Sequence, residues 1–384
     1  MNKLKGVRQK MIRSISYGVY LFFIVAICLE VALHIYNPFH LRLRGDKILL
    51  PVNQRILISN TLNPHLDKEI VNTRNGLGLR GPEKPADFEN RLSIVAVGGS
   101  TTECHFLNDD KTWPYLTGKL LGSKFDGIWM NNAGFDGHST FGHQVLLNDY
   151  LIKLQPKLIL FLTGINDVEN EQPTFHDKLN ASDAYPDLKH FLYNNCEILN
   201  IAVNLARGWR AQRFNNTTQE LRTPEKNNEL FIPDSVFNAK LRSQQTFLIH
   251  YRKRIEQLID TCISHHIQPV FITQPCLSGR ATDSVTNVDL STLKIDDHMN
   301  GLLYWEILEL YNEQVRKRCT DKNIPLIDLA SLMPKNSLYY YDQTHYTNEG
   351  AQQVAAIIAA KLSNILNEKF PGYRLGHLPL ASRL

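Results

Sequence analysis

The chain has 384 residues, 43% of them hydrophobic, with 42 Lys and Arg against 38 Asp and Glu, a net charge of +4. That length allows one large domain or two ordinary ones, with ample material for a packed core. Much of the positive excess lies in the first fourteen residues, so the remainder is nearly neutral and excludes an electrostatic footprint for nucleic acid.

Residues 1–14 form a basic arm in which Lys3, Lys5, Arg8, Lys10 and Arg13 occur without an acid. Residues 15–36, from Ile15 to Tyr36, are almost wholly apolar and are interrupted by Glu30. At about 1.5 Å rise per residue, some 20 such residues span a bilayer. Cations ahead of the span predict a cytoplasmic N-terminus. The bulk of the chain is then expected on the periplasmic or extracellular side. A cleaved signal peptide is the competing reading, but the run is long and no Ala-x-Ala site follows it. Ala26-Ile27-Cys28 is a poor substitute, and bulky Ile27 stands where lipoprotein processing needs a small residue. A buried helix of a soluble domain does not explain the basic prefix. An uncleaved anchor is the expectation, with Glu30, costly at mid-membrane, late in the run and toward the outer interface.

Residues 37–90 show no regular pattern and read as a membrane-proximal segment. Within them Asn75-Gly-Leu-Gly-Leu-Arg-Gly81 is rich in turn glycines. From residue 91 to about 370 a regular alternation defines the main domain. Apolar strands are expected at 92–97, 127–132, 157–163, 268–273 and 324–328. Helical patterns cover 112–121, 141–154, 240–266, 301–320 and 347–366. Such an alternation predicts an α/β fold, a three-layer α/β/α sandwich on a five-stranded parallel sheet of flavodoxin-like order, plus the N-terminal transmembrane helix. Insertions at 168–239 and 276–300 both leave from the C-terminal side of strands, where long excursions shape substrate binding or act as lids. No residue of the first insertion, His176, Tyr185 and Trp209 included, has motif support for a contact. Asn180-Ala-Ser182 and Asn215-Asn-Thr217 match glycosylation acceptors, which matter only in a secretory eukaryotic setting.

The six cysteines, Cys28, Cys104, Cys196, Cys262, Cys276 and Cys319, follow no metal or redox spacing. Five lie outside the anchor and cannot all pair, although one bridge is compatible with an oxidising compartment. Small buried hydrophobes are the expected role for most.

Four segments at strand ends carry chemistry. Ser100 follows an apolar strand and two glycines, and Thr-Thr-Glu after it can open a helix, a place favourable to developing negative charge. Alone, such a segment is also a helix cap or a phosphate-binding turn. Gly134 ends the second strand, where a backbone N–H is unobstructed by a side chain; a plain turn glycine is the simpler reading. Asn166, in Gly164-Ile-Asn-Asp167, can donate to an oxyanion or merely close an Asx-turn. Asp167 suits a structural acceptor. Asp342-Gln-Thr-His345, just before a helix, lets a carboxylate orient an imidazole that takes the proton of a serine hydroxyl. A metal site there lacks further ligands in register, and a surface turn is the plain alternative.

Taken together and in this order, Gly99-Ser100, Gly134, Gly164-x-Asn166-Asp167 and Asp342-x-x-His345 resemble the four blocks of the SGNH hydrolase superfamily, the GDSL-type esterases and lipases. The resemblance covers about residues 92–366. It implies Ser100 as nucleophile, His345 as general base and Asp342 as its orienting acid. The oxyanion hole it implies comprises the N–H groups of Ser100 and Gly134 and the amide of Asn166. No metal or nucleotide cofactor is implied. Gly99 replaces the Asp of the usual Gly-Asp-Ser block, which weakens any inference toward the lipase branch. The anchor, the Asn75–Gly81 stretch and Gly-Gly-Ser-Thr-Thr look similar to membrane-anchored bacterial members. The expected function is hydrolysis of acyl esters, O-acetyl among them, on an acylated small molecule or glycan through an acyl-enzyme. An O-acyltransferase acting on a surface or secreted polysaccharide and a non-catalytic binding protein on the same fold are the alternatives.

Overall fold

The structure, a computed structural model, describes residues 2–38, 43–44, 47–48, 50–60, 63–174, 176–177, 195–203, 205, 224 and 228–376. Tyr185, Trp209 and both glycosylation motifs lie outside the described residues. Two compact units emerge: Met1–Pro51 with Asn180–Thr218, and Val52–Leu179 with Gln219–Leu384.

The larger unit is built on a five-stranded parallel sheet: β1 Leu92–Gly98, β2 Ile128–Gly134, β3 Leu158–Thr163, β4 Gln268–Thr273 and β5 Leu326–Ile327. Their order is β5-β4-β3-β1-β2, the flavodoxin-like order expected. Every residue of β1 and of β3 is buried, because uninterrupted apolar runs suit a strand covered on both faces. Alternate residues Ile94, Ala96, Leu160, Leu162 and Ile272 share one core cluster with Trp113 and Leu121 of the helix Trp113–Leu121 and with Val354, Ile358 and Leu362 of the helix Asn348–Lys369. On the other side Phe161 stacks on Phe271 with ring centroids 5.1 Å apart. The helices Thr140–Leu146, Gln245–Ser264 and Gly301–Asp321 cover that face. Between β1 and β3 the connections depart to opposite sides, the topological switch point where open α/β sheets place ligands. Ser100 and Asn166 stand at the ends of these two strands.

Three local features depart from the expected pattern. The helix over 141–154 contains a π turn, Leu147–Leu151. The pattern over 240–266 is divided into Asp234–Ser243 and Gln245–Ser264 at Gln244, whose buried amide donates to Glu169 Oε1 at 2.7 Å and accepts from Tyr311 Oη at 3.3 Å. The segment without a pattern holds an antiparallel hairpin, Gln54–Ser59 with Glu69–Arg74. Side chains from the main body complete that hairpin: Asn108 Oδ1 accepts from Val71 N at 2.8 Å, and Asp109 accepts from Thr73 N at 3.1 Å and Thr73 Oγ1 at 2.7 Å. Local periodicity does not reveal strands held this way.

In the smaller unit a helix runs from Asn2 to Ile35, and Met11–Ile35 has a mean hydropathy of 2.3. Among the described residues it is the one helix long and apolar enough to cross a membrane. Two-residue strands, Leu43–Arg44 and Lys47–Ile48, pair antiparallel after it. All six cysteines are unpaired; Cys104, Cys262, Cys276 and Cys319 are buried, as small hydrophobes are.

Candidate active site

The turn that presents Ser100 needs space rather than unusual dihedrals. A side chain at Gly98 would collide with Thr102, and one at Gly99 with the Asn166 amide. A side chain at Gly99 would thus require the Asn166 amide to shift. The four-residue helix Ser100–Glu103 starts at once, with Gly99 O accepting from Thr102 N at 3.0 Å and Glu103 N at 2.9 Å. It stops at Cys104, which has φ of +52°. The N–H of Ser100 has no acceptor among the described residues.

The carbonyl end of this helix is held by Arg80, from the glycine-rich stretch singled out in the sequence. Its guanidinium donates to the carbonyls of Glu103 and Cys104, each at 2.8 Å, and of Leu107, and pairs with Asp109 at 2.6 Å. Arg74 pairs with Glu103 at 2.7 Å, and both side chains are at most 10% exposed. Replacing Arg80 by Met leaves several buried carbonyls without a donor, a change expected to cost about 3–5 kcal/mol. Chemical unfolding of the full chain checks this; an unchanged midpoint would contradict the role given to Arg80.

Asp342 and His345 sit on a loop clipped at its base, where Tyr341 N donates to His345 O at 3.0 Å and Tyr340 bridges to Tyr346. Thr347 then caps the helix Asn348–Lys369 by accepting from Gly350 N at 3.0 Å. Asp342 Oδ1 accepts the N–H groups of Thr344 and His345, each at 2.8 Å, while Oδ2 faces His345 Nδ1 at 2.6 Å. With the proton on Nδ1, His345 Nε2 accepts from Ser100 Oγ at 2.8 Å. Tyr341 stacks on the imidazole with a 10° interplanar angle. Burial works against charge on both members of the pair and is outweighed. His345 and the N–H groups of His345 and Thr344 hold Asp342 below the usual carboxylate range, and the carboxylates of Asp342, Asp136 and Glu103 raise His345 above the ordinary imidazole value. An imidazole so placed can take the hydroxyl proton and hold it as a stabilised cation.

Asn166 follows β3 in a turn that Gly164 enters at φ of +129°, and its amide donates to His138 O at 2.9 Å. Asp167 is buried and accepts from Thr140 N at 3.1 Å and Arg254 Nη2 at 3.2 Å, the structural acceptor expected. Gly134 departs from expectation. Its N–H donates to Asn132 Oδ1 at 2.8 Å, and its α-carbon packs on the Thr102–Glu103 backbone. Gly134 is thus a spacer under the Ser100 helix and offers no donor to an oxyanion. Three residues on, Gly137 has φ of +69°, and its N–H has no acceptor among the described residues. His176 lies over it so closely that a side chain at 137 would strike the imidazole. Asp136 Oδ2 stands 4.0 Å from His176 Nδ1. The neighbouring Asp177 accepts from Ser139 N at 2.7 Å, Ser139 Oγ at 2.8 Å and Gly142 N at 3.1 Å. The start of the first insertion is thereby fixed on the Gly137 loop. The sequence signal for that loop is the Asp136-Gly137 turn dipeptide; nothing in the sequence marks His176.

The model of the GDSL-like lipase/acylhydrolase family matches residues 93–353, which is most of the chain and includes all four segments. The chain belongs to that family, within the SGNH hydrolase superfamily. Membership makes ester hydrolysis the class of reaction. No curated protein matches the sequence. Solved structures similar to the chain include LAE5, described as an alpha/beta hydrolase enzyme from the metagenome of Lake Arreo, Spain, at 13% identity and a TM-score of 0.41. That match covers 71% of this chain and 96% of LAE5. Axe2, an acetylxylan esterase from Geobacillus stearothermophilus, is 11% identical with a TM-score of 0.40, over 70% of this chain and 93% of Axe2.

Proposed function

We propose that the chain is a membrane-anchored serine esterase that removes short acyl groups, acetyl foremost, from a small molecule or glycan outside the cytoplasm. The observation that carries the reading is the line Ser100 Oγ, His345, Asp342, with contacts of 2.8 and 2.6 Å. Ser100 Oγ attacks the acyl carbonyl while His345 Nε2 takes its proton. His345 then protonates the departing alcohol, leaving the acyl group on Ser100. Water, deprotonated by His345, attacks this ester and releases the acid. The oxyanion is held by the Ser100 N–H, the second Asn166 amide hydrogen and the N–H of Gly137, which takes the place first given to Gly134. Asn166→Ala should lower kcat about 10²–10³-fold with a much smaller change in KM. A change confined to KM would remove Asn166 from this role.

A cavity of about 10 Å³ beside Ser100, walled by Phe106, Leu107 and Tyr341, supports the short acyl group. That is room for about one water-sized group. A panel of esters from acetyl to octanoyl should show kcat/KM falling with chain length; a rise would overturn acetyl preference. The apolar Met11–Ile35 helix and the cations before it support the anchor and a cytoplasmic N-terminus.

His345 must be neutral to act, so kcat/KM should rise with pH through a midpoint above the ordinary imidazole value. Asp136→Asn removes one of the charges that raise it and should move the acid limb to lower pH, most clearly at low ionic strength. An unmoved limb would break the electrostatic link.

A further inference from the structure

Glu30 is the acidic residue inside the Met11–Ile35 span, and its carboxylate is not left to the surroundings. Oε1 accepts from Glu197 N at 2.5 Å, while Oε2 accepts from Ile198 N at 3.0 Å and Cys196 Sγ at 3.3 Å. These N–H groups open a helical stretch over 197–203, where backbone donors have no partner within the helix. Asn37, just past the span, donates to Glu197 Oε2 at 2.8 Å. Glu197 and Asn200 are buried. The residues after Glu197 are Ile198, Leu199, Asn200, Ile201, Ala202 and Val203, with no charge. Ala202 is exposed, and Leu205 is 65% exposed.

We infer that the insertion returns a short apolar helix to the membrane anchor, docked on Glu30, and that its outer side contacts the bilayer at the end of the span. This rests on the anchor reading above. Glu30 lies five residues before Ile35, about 8 Å along the helix axis, so carboxylate and docking site belong near the outer edge of the hydrocarbon. There an unpaired carboxylate and unpaired N–H groups are both costly, and each satisfies the other. An apolar, uncharged stretch continuous with a spanning helix fits lipid rather than water. The unit boundaries at 51/52, 179/180 and 218/219 then join the catalytic unit to the anchor through three chain crossings.

The test uses the full chain in native membranes. Asn37→Cys, in a Cys28→Ala background that keeps Glu30, should be bridged to the native Cys196 by a short bis-methanethiosulfonate, seen as a reducible mobility shift. Adding Cys196→Ala, or Glu30→Ala, should abolish the shift. A bilayer-confined diazirine should label residues 195–205 in the unsubstituted protein. Chain that washes off membranes in alkaline carbonate would refute the anchor, and this inference with it. Chain that stays bound without cross-linking would refute the docking alone. Cross-linking without diazirine labelling would refute the lipid contact.

Discussion

Ser100→Ala is expected to lower kcat by about 10⁴–10⁶-fold while leaving the fold intact. The Ser100 hydroxyl contacts His345 Nε2 at 2.8 Å and supports nothing else, because the turn around it is held by backbone. Gly99 O accepts from Thr102 and Glu103, and Arg80 takes the carbonyls at the far end. The neighbouring hydroxyl is no substitute, since Thr101 Oγ1 is buried and donates to Gln274 Oε1 at 3.0 Å. Steady-state hydrolysis of an acetyl ester, with the unfolding midpoint as control, reads the effect. Activity within tenfold of the unsubstituted chain would be incompatible with the mechanism.

Asp342→Asn should cost about 10⁴ in kcat with little change in KM. The amide oxygen can still accept from the N–H groups of Thr344 and His345, as Oδ1 does at 2.8 Å, so the loop keeps its shape. The amide nitrogen then faces His345 Nδ1 and donates where the carboxylate accepted. His345 is left with its proton on Nε2, pointing at Ser100, and cannot act as base. The charge that stabilised the imidazolium is also gone. A loss below about tenfold would show that Asp342 only shapes the loop.

The sheet was legible because buried parallel strands write themselves as unbroken apolar runs, and Leu158–Thr163 is one. Asp342 and His345 were legible because three residues and one turn set their geometry. Ser100 was marked by glycines whose reason, room for Thr102 and Asn166, is visible only in three dimensions. We move the oxyanion glycine from Gly134 to Gly137 for a related cause. Gly134 and Gly137 both follow β2, and what separates them is Asn132, whose side chain takes up the N–H of Gly134. The hairpin Gln54–Ser59/Glu69–Arg74 and the work of Arg80 depend on partners 23 or more residues away, beyond any local pattern. Glu30 read only as a charge toward the outer interface, because its partners lie 166 or more residues on.

The central claim is that Ser100 is a nucleophile activated by His345, and a fluorophosphonate probe tests it most directly. The account predicts one phosphonyl adduct, located on Ser100 by peptide mass spectrometry, absent from Ser100→Ala and strongly slowed in His345→Ala. A folded chain that takes no label, or that labels equally after Ser100→Ala, would contradict it.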